Sequence, residues 1–552
     1  MANSKNNSGF IMQGSILAIA SFVVRIIGLI YRIPLTNIIG DEGMGYYSYA
    51  YEPYSVMLML SYHGIPAAVS KLVATNRSLG KFKNLKKIFW IALSITITIG
   101  CITGSILLFG AGYISANITG QPMSRWAMMV LGPTLLVLSI MGVLRGFFQG
   151  MGTTMPTAIS QVFEQIVNAV VSVVAAFYLF DYGAKYDAIV GTESYAEGYG
   201  AAGGTMGTFL GALVALIFLM FIFSLFSTRL NAMARKDRGR STETAGMIAK
   251  MIAVTAVPLI FNSILFNCNT TIDMVLFNKL MSAKEGYTEE GIASLWGMFT
   301  GKYKTMVMVP ISIATALGVA IIPNFAEEAA RGNVRTIRNK LHKAVRFGMI
   351  ISIPAAVGLS VLAEPVITML FSGDNEIAVT LLRYGTIAVV IYSISTITNS
   401  ALQGLNRERF TVISALFALI IHVIVLAICV GVLDMGIYGV LVSYVCFALV
   451  ISLMNNFALS RVIGYRQEYV RSMLLPAVAA AVMGFAVHVA YKLIMNASEQ
   501  KILSCLIAIA IGVIIYLVVL LLLRVIDEND VRSFPKGALL VSLFKKLHLL
   551  PR

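Results

Sequence analysis

The chain is 552 residues long, 58% hydrophobic and only 12% charged, with a formal net charge of +16 at pH 7. A soluble protein carries roughly twice that share of charge, so a soluble globular enzyme is excluded. The longest polar stretches, 181–197 and 228–250, are too short to bury a core.

From the N-terminus, a polar start (1–9) leads into an apolar run at Phe10 that carries Arg25 and lacks a small-residue cleavage site. It reads as an uncleaved span. Apolar runs of about the ~20 residues that cross a bilayer give spans at 10–33, 44–70, 88–112, 125–149, 156–180, 199–226, 247–279, 291–325, 347–370, 377–403, 411–433, 436–460, 472–495 and 502–523. The predicted fold is therefore an all-α polytopic membrane protein of about 14 transmembrane helices. The five cysteines all lie inside apolar runs without metal-ligand spacing, which suggests packing and no disulfide framework.

Alternate loops differ sharply in charge. With the N-terminus inside, the inner segments hold 31 Lys and Arg and the outer loops five: Arg125, Lys185, Lys284, Lys492 and Lys501. This bias puts both termini in the cytoplasm and the chain in the cell membrane. The positive charge is then mostly topological, with attraction to anionic headgroups as a second effect, and a nucleic-acid partner is excluded. The outer loops carry acids, including Asp181, Asp187, Glu193 and Glu197.

The chain also repeats itself. At an offset of 254 residues Gly64 matches Gly318, Gly104 matches Gly358, Gln149-Gly150 matches Gln403-Gly404, and Ile159-Ser160 matches Ile413-Ser414. Six spans per unit give two lobes of like orientation, related by a pseudo-two-fold axis along the membrane normal. The expected domains are an N-lobe at 1–230, a C-lobe at 231–465, and two extra helices with a cytoplasmic tail at 466–552. Two such lobes form a central cavity that opens to alternate sides.

Six bases remain inside the predicted spans, Arg25, Arg32, Lys279, Lys302, Lys304 and Arg383, against three acids, Glu52, Glu164 and Asp273. Intramembrane charge is costly and faces a cavity or a partner. The excess of bases predicts a cationic cavity for an anion, and phosphate or pyrophosphate is the natural guest of arginine. Arg25 lies deep in the first span; Arg32 is seven residues on, two turns away on the same face, with Gly28 between them allowing close approach. Lys302 and Lys304 point in different directions on a helix, and Lys304 is the preferred cavity residue. Arg383 lies about two turns from the outer face, and Lys279 reads as an interfacial anchor. Asp273, with Asn269 one turn before it, is either a site for a monovalent cation or proton or half of an ion pair. Glu164 and Glu52 are candidate partners for buried bases. The tyrosines at 46, 47, 49, 51 and 54 suit an interfacial belt or sugar stacking. No nucleotide, zinc or nucleophile-elbow motif stands in a supporting context, so no cofactor is expected and the chain is not read as an enzyme.

The segments Arg25-Ile-Ile-Gly28-Leu-Ile-Tyr31-Arg32-Ile-Pro34, Gly40-Asp-Glu-Gly43-Met-Gly45 and Gly64-Ile-Pro66-Ala-Ala-Val-Ser70-Lys71 resemble the MurJ/SpoVB-type flippases of the multidrug/oligosaccharidyl-lipid/polysaccharide (MOP) exporter superfamily, as do Ala316-Leu-Gly318 to Pro323 and Gln403-Gly404. The resemblance implies two six-helix lobes around a cationic cavity, with the last two spans forming a groove for a lipid tail. It implies movement of lipid II, the undecaprenyl-pyrophosphate peptidoglycan precursor, from inner to outer leaflet. Arg25 falls on an essential arginine of that pattern and Lys304 on another, whereas Tyr31 stands where a second arginine is expected and Arg32 where an acid is usual. A cation site carries over to Asp273, with Asn399 and Gln403 where an acidic partner is expected. Coupling is then to Na+, H+ or the membrane potential. The implied partners are lipid II, membrane lipids and the cell-wall synthesis machinery, with the chain acting as a monomer. Competing readings are export of another polyprenyl-linked oligosaccharide or a sporulation-specific precursor, a drug/cation antiporter, and a glycan polymerase or scaffold. The excess of buried bases disfavours the antiporter, and the lack of a catalytic acid disfavours the polymerase.

Overall fold

A computed structural model describes residues 16–17, 20–191, 194–237 and 243–525, and every regular element among them is helical. The first is α1 (Ala20–Ile30). Next come α2 (Arg32–Ser61), α3 (Ile65–Ser78), α4 (Phe82–Phe109), α5 (Arg125–Gly150), α6 (Met155–Val190), α7 (Tyr195–Lys236) and α8 (Ala245–Ser282). The chain continues through α9 (Glu289–Gly297), a widened turn at Met298–Tyr303, α10 (Lys304–Ala330), α11 (Val334–Val361), α12 (Ala363–Leu370), α13 (Glu376–Gly385) and α14 (Ile387–Gly404). It ends in α15 (Glu408–Leu426), α16 (Ile437–Ile463), α17 (Leu475–Ser498) and α18 (Lys501–Leu522).

Twelve helices among the described residues are long and apolar enough to cross a membrane, or thirteen if α13 and α14 count as one bent span. The predicted span at 10–33 lies partly outside the described residues and is represented by α1. The span predicted at 377–403 is bent by 49°. The Gly385 carbonyl at the bend accepts the Tyr303 hydroxyl at 2.9 Å, so the backbone group freed there is not stranded in an apolar setting.

Two predicted loops are in fact largely helix. The acidic 181–197 segment continues α6 to Val190 and α7 from Tyr195. Polar side chains do not interrupt a helix whose backbone satisfies itself. The chain turns only where Gly191 takes φ +75°, and Asp187 accepts the Tyr195 and Ala196 amides at 3.1 and 2.8 Å to cap α7. The basic 327–346 segment is helical from Val334, where Asn333 caps α11.

The described residues form two compact units, one reaching to Gly301 and including 430–437, the other taking in 302–429 and 438 onward. In the first, α6 and α7 pack through a row of small residues; a Cβ on Gly207 would stand 2.1 Å from Ser172 Oγ, a contact only glycine permits. In the second, α11 packs on α14 and α17, and α17 on α18. The repeat is legible within each unit. A Cβ on Gly150 would meet Ser70 and Val73, and one on Gly404 would meet Ile322 and Phe325. Gly152 (φ +77°) and Asn406 (φ +56°), 254 residues apart, take the same left-handed turn after their helices.

Candidate functional site

In the first unit, α1 carries Arg25, Gly28 and Arg32 to the start of α2. Gly28 brings α1 onto α6, where a Cβ would lie 3.2 Å from Gln165 Nε2. Arg25 is exposed and makes no ion pair or hydrogen bond with another described residue. Arg32 is half-buried against the phenols of Tyr31, Tyr47 and Tyr51 and hydrogen-bonds to Tyr31. Tyr47 stacks on Tyr51 with centroids 5.8 Å apart, and Tyr51 tilts against Tyr54 at 5.2 Å. Glu52 and Glu164 act electrostatically on the same Tyr51 phenol. Arg32, Glu52 and Glu164, scattered in sequence, thus lie within electrostatic reach of one tyrosine cluster.

Glu164 pairs with a base that sequence reasoning missed. Arg145, counted there as an inner-loop charge, lies inside α5 and is only 4% exposed. It donates to Glu164 Oε2 at 2.7 Å, to Ser160 Oγ at 3.1 Å and to the Tyr62 hydroxyl at 3.3 Å. Its place at the inner end of the predicted 125–149 span put it among the 31 inner Lys and Arg. The only available sign of a partner was the Ser160/Glu164 pair, one turn apart on the next span.

On α8, Thr271 donates to Glu52 Oε2 at 3.0 Å. Asp273 and Asn269 are 0% and 7% exposed. Asn278 donates to the Tyr49 hydroxyl at 3.3 Å. Beside this face α9 meets α2 almost backbone to backbone. A Cβ on Gly45 would lie 2.1 Å from the Ala293 carbonyl oxygen, and one on Gly297 1.8 Å from that of Asp41. Ser48 and Thr300 share a hydrogen bond of 2.8 Å, and buried Trp296 packs on Phe277 and Tyr49.

The second unit holds three more of the predicted bases, Lys302, Lys304 and Arg383, each in a different setting, while Lys279 stays in the last turn of α8 in the first. Lys302 is 1% exposed and donates to Asn375 Oδ1 at 2.9 Å and to the Ser372 and Asp374 carbonyls at 3.3 Å. Its ammonium organises the 371–375 turn. Replacing it with methionine is expected to cost about 1–3 kcal/mol by stranding those acceptors, read as a lower thermal unfolding midpoint in detergent; an unchanged midpoint would contradict this role. Lys304 is half-buried, with its ammonium 5.3 Å from the Tyr444 ring centroid. Arg383 is exposed and stands 3.8 Å from Glu364.

The second unit also contains a groove of about 1200 Å³ between α10, α11, α17 and α18. Its walls are apolar (Phe347, Ile350 and Leu359 on α11, Val487 on α17, Val513 and Leu517 on α18), and Lys340, Lys343 and Arg346 gather at one end. Tyr516 fixes α18 to α11 by donating to the Ile350 carbonyl at 2.8 Å.

A family model described as polysaccharide biosynthesis protein matches residues 11–329, and a second, described as MatE, matches residues 300–428. The lipid II flippase MurJ of Bacillus subtilis (strain 168) is 26% identical over 534 residues, spanning 92% of this chain and 95% of its own length. Stage V sporulation protein B of the same organism is 22% identical over 525 residues, spanning 95% and 97%. A structure of lipid II flippase MurJ in an inward closed conformation has a TM-score of 0.62 at 16% identity, covering 91% of this chain and 97% of that one. With the first family model matching more than half its length, the chain belongs to the polysaccharide biosynthesis protein family, and its fold is the multi-span helical fold shared with MurJ.

Proposed function

We propose that the protein is a flippase that carries lipid II, or a closely similar undecaprenyl-pyrophosphate-linked precursor, from the inner to the outer leaflet. The observation that carries this reading is the state of Arg25 and Arg32. They share one face of an apolar segment, and neither forms an ion pair with a described carboxylate. A guanidinium kept in the membrane without a carboxylate partner is costly unless an anion visits it, and pyrophosphate oxygens match its donor geometry.

The reading takes the lobes at 1–230 and 231–465 as rocking bodies, with both termini cytoplasmic. The tight α2–α9 seam is then the closed outer gate, because the charge bias puts the start of α9 outside. The groove accepts the lipid tail while the headgroup occupies the cationic cavity. A membrane potential negative inside favours outward movement of the anion by about 2.3 kcal/mol per charge per 100 mV for a full traverse. The buried Asp273 carboxylate and Asn269 amide are hard oxygen donors that suit a coupling Na+ or H+. The reading makes the chain a transporter with no catalytic residue.

Export of a different polyprenyl-linked glycan, or a precursor made during sporulation, is the second reading. Similarity to stage V sporulation protein B over nearly the whole chain favours it, as do Tyr31 and Arg32, which depart from the MurJ pattern. Depleting the protein in cells that lack any other flippase, then labelling lipid II on the outer leaflet, tests the first reading. The labelled pool is expected to collapse while total lipid II rises; an undiminished outer pool would refute it.

A further inference from the structure

α6 and α7 are longer than a membrane requires. From Tyr195 to Arg229, the first base met along α7, the helix runs about 50 Å at about 1.5 Å per residue, more than the roughly 40–45 Å of a bilayer with its headgroups. With Arg229 at the inner boundary, the Tyr195 end stands clear of lipid on the side that the charge bias puts outside. α6 reaches the same height. A Cβ on Gly183 would lie 2.6 Å from the Tyr195 carbonyl oxygen, so the neighbouring Tyr182 and Tyr186 sit level with the start of α7. An interfacial aromatic belt does not account for rings held above the headgroups.

These rings are joined into one surface. Trp126, in the first turn of α5, stacks on Tyr199 with centroids 5.2 Å apart, and Tyr199 stacks on Tyr195 at 6.1 Å. Tyr182 meets Tyr199 edge-on at 5.8 Å, and Tyr186 meets Tyr195 edge-on at 4.9 Å. The Asp187 cap on the Tyr195 and Ala196 amides fixes the turn behind them. Tyr182 and Tyr186 are 59% and 39% exposed, and the other three rings are half-buried. Together they offer roughly 300 Å² of accessible ring. That is well short of the roughly 800 Å² per partner of a stable protein interface, and enough for one or two sugar units. The bases beside the rings are engaged: Lys185 pairs with Asp181, and the Arg125 guanidinium lies over the Trp126 ring, 4.4 Å from its centroid. The surface is therefore poorly suited to phosphate, which wants converging unpaired donors. Weakly charged rings with hydroxyls at their edges suit the C–H faces and hydroxyls of pyranose sugars.

We propose that this outward ladder of rings is a glycan-binding platform, on which neutral or N-acetylated pyranose units stack against Tyr182, Tyr186 and the rings behind them. Its purpose rests on the flippase reading: the platform takes hold of the sugar head of the cargo on the outer side and so retards its return.

The test uses the full-length protein in nanodiscs and chitotetraose, a short chain of N-acetylglucosamine, as the probe, with saturation-transfer NMR titration as the readout. Wild type is expected to bind chitotetraose saturably. Tyr182→Ala combined with Tyr186→Ala, both exposed changes, is expected to weaken that binding about tenfold, the scale of a lost ring contact. Tyr182→Phe combined with Tyr186→Phe keeps the rings and is expected to stay within about threefold of wild type, since only wet hydroxyls are lost. Absence of saturable binding, or equal binding by the alanine variant, would overturn the platform. So would quenching by brominated lipid of a fluorophore attached at position 182, which would put the rings in the bilayer. If wild-type lipid II transport persists alongside any of these results, the platform alone has failed and the flippase reading stands. Ring-dependent binding of chitotetraose without lipid II transport by wild type would sink the flippase reading and leave the platform standing.

Discussion

Gly297→Val is expected to cut transport about ten- to hundredfold while the protein accumulates in the membrane at the normal level. The reason lies in the α2–α9 seam. Any Cβ at position 297 falls 1.8 Å from the carbonyl oxygen of Asp41, a backbone atom that cannot rotate aside. Relief requires α9 to withdraw, which breaks the 2.8 Å Ser48–Thr300 hydrogen bond and opens the Gly45–Ala293 contact. Overpacking of this kind costs about 1–3 kcal/mol, and if the seam is the outer gate proposed above, the cost falls on the outer-closed state. Gly291→Ala is the control. Its Cβ would meet only Thr288 Oγ1 at 3.4 Å in the first turn of the same helix, and near-normal transport is expected. Complementation of growth together with membrane protein level separates the two; wild-type transport by Gly297→Val would remove the seam from the mechanism.

Arg145→Leu is expected to destabilise the protein by about 2 kcal/mol, the scale for removing a buried, charge-assisted hydrogen-bond hub whose carboxylate partner is partly wet. Arg145 holds Glu164, Ser160 and Tyr62 together across α5, α6 and the end of α2. Without it the Glu164 carboxylate, itself 26% exposed, loses its 2.7 Å partner. The double change Arg145→Leu with Glu164→Gln removes the stranded charge and is expected to recover much of the loss. Thermal unfolding in detergent of the two single variants and the double variant forms the cycle. Additive effects would contradict the coupling. Because Glu164 also acts electrostatically on Tyr51 beside Arg32, the single variant is further expected to weaken substrate capture more than the double.

Much of this was legible from residue pattern alone. Apolar run length gave twelve or thirteen of the fourteen expected spans among the described residues, and a 254-residue offset gave the repeat that Gly152 and Asn406 display in their backbones. What escaped was whatever depends on partners rather than on depth. Hydropathy reads straight through the α13–α14 bend, because the Tyr303 hydroxyl that satisfies Gly385 lies 82 residues away. Arg145 and Lys343 were both counted as inner charges, since a topological count cannot distinguish a solvated base from one buried in a helix pair or set at the mouth of a groove. Lys302 and Lys304, two residues apart, were separable in direction, but only the structure shows that Lys302 holds the 371–375 turn. The pairing of Glu164 needed coordinates for the same reason: its base sits on the preceding helix at a spacing that has no helical period.

The most direct measurement is made on purified protein in liposomes loaded with lipid II, scoring the fraction that becomes accessible to an externally added labelling enzyme. Wild type is expected to expose lipid II well beyond protein-free vesicles, and Arg25→Ala, reconstituted to the same density, to fall back to the protein-free level. Equal exposure by the two proteins would contradict the account, because the guanidinium left without a carboxylate partner in the membrane would then have no anionic guest to receive.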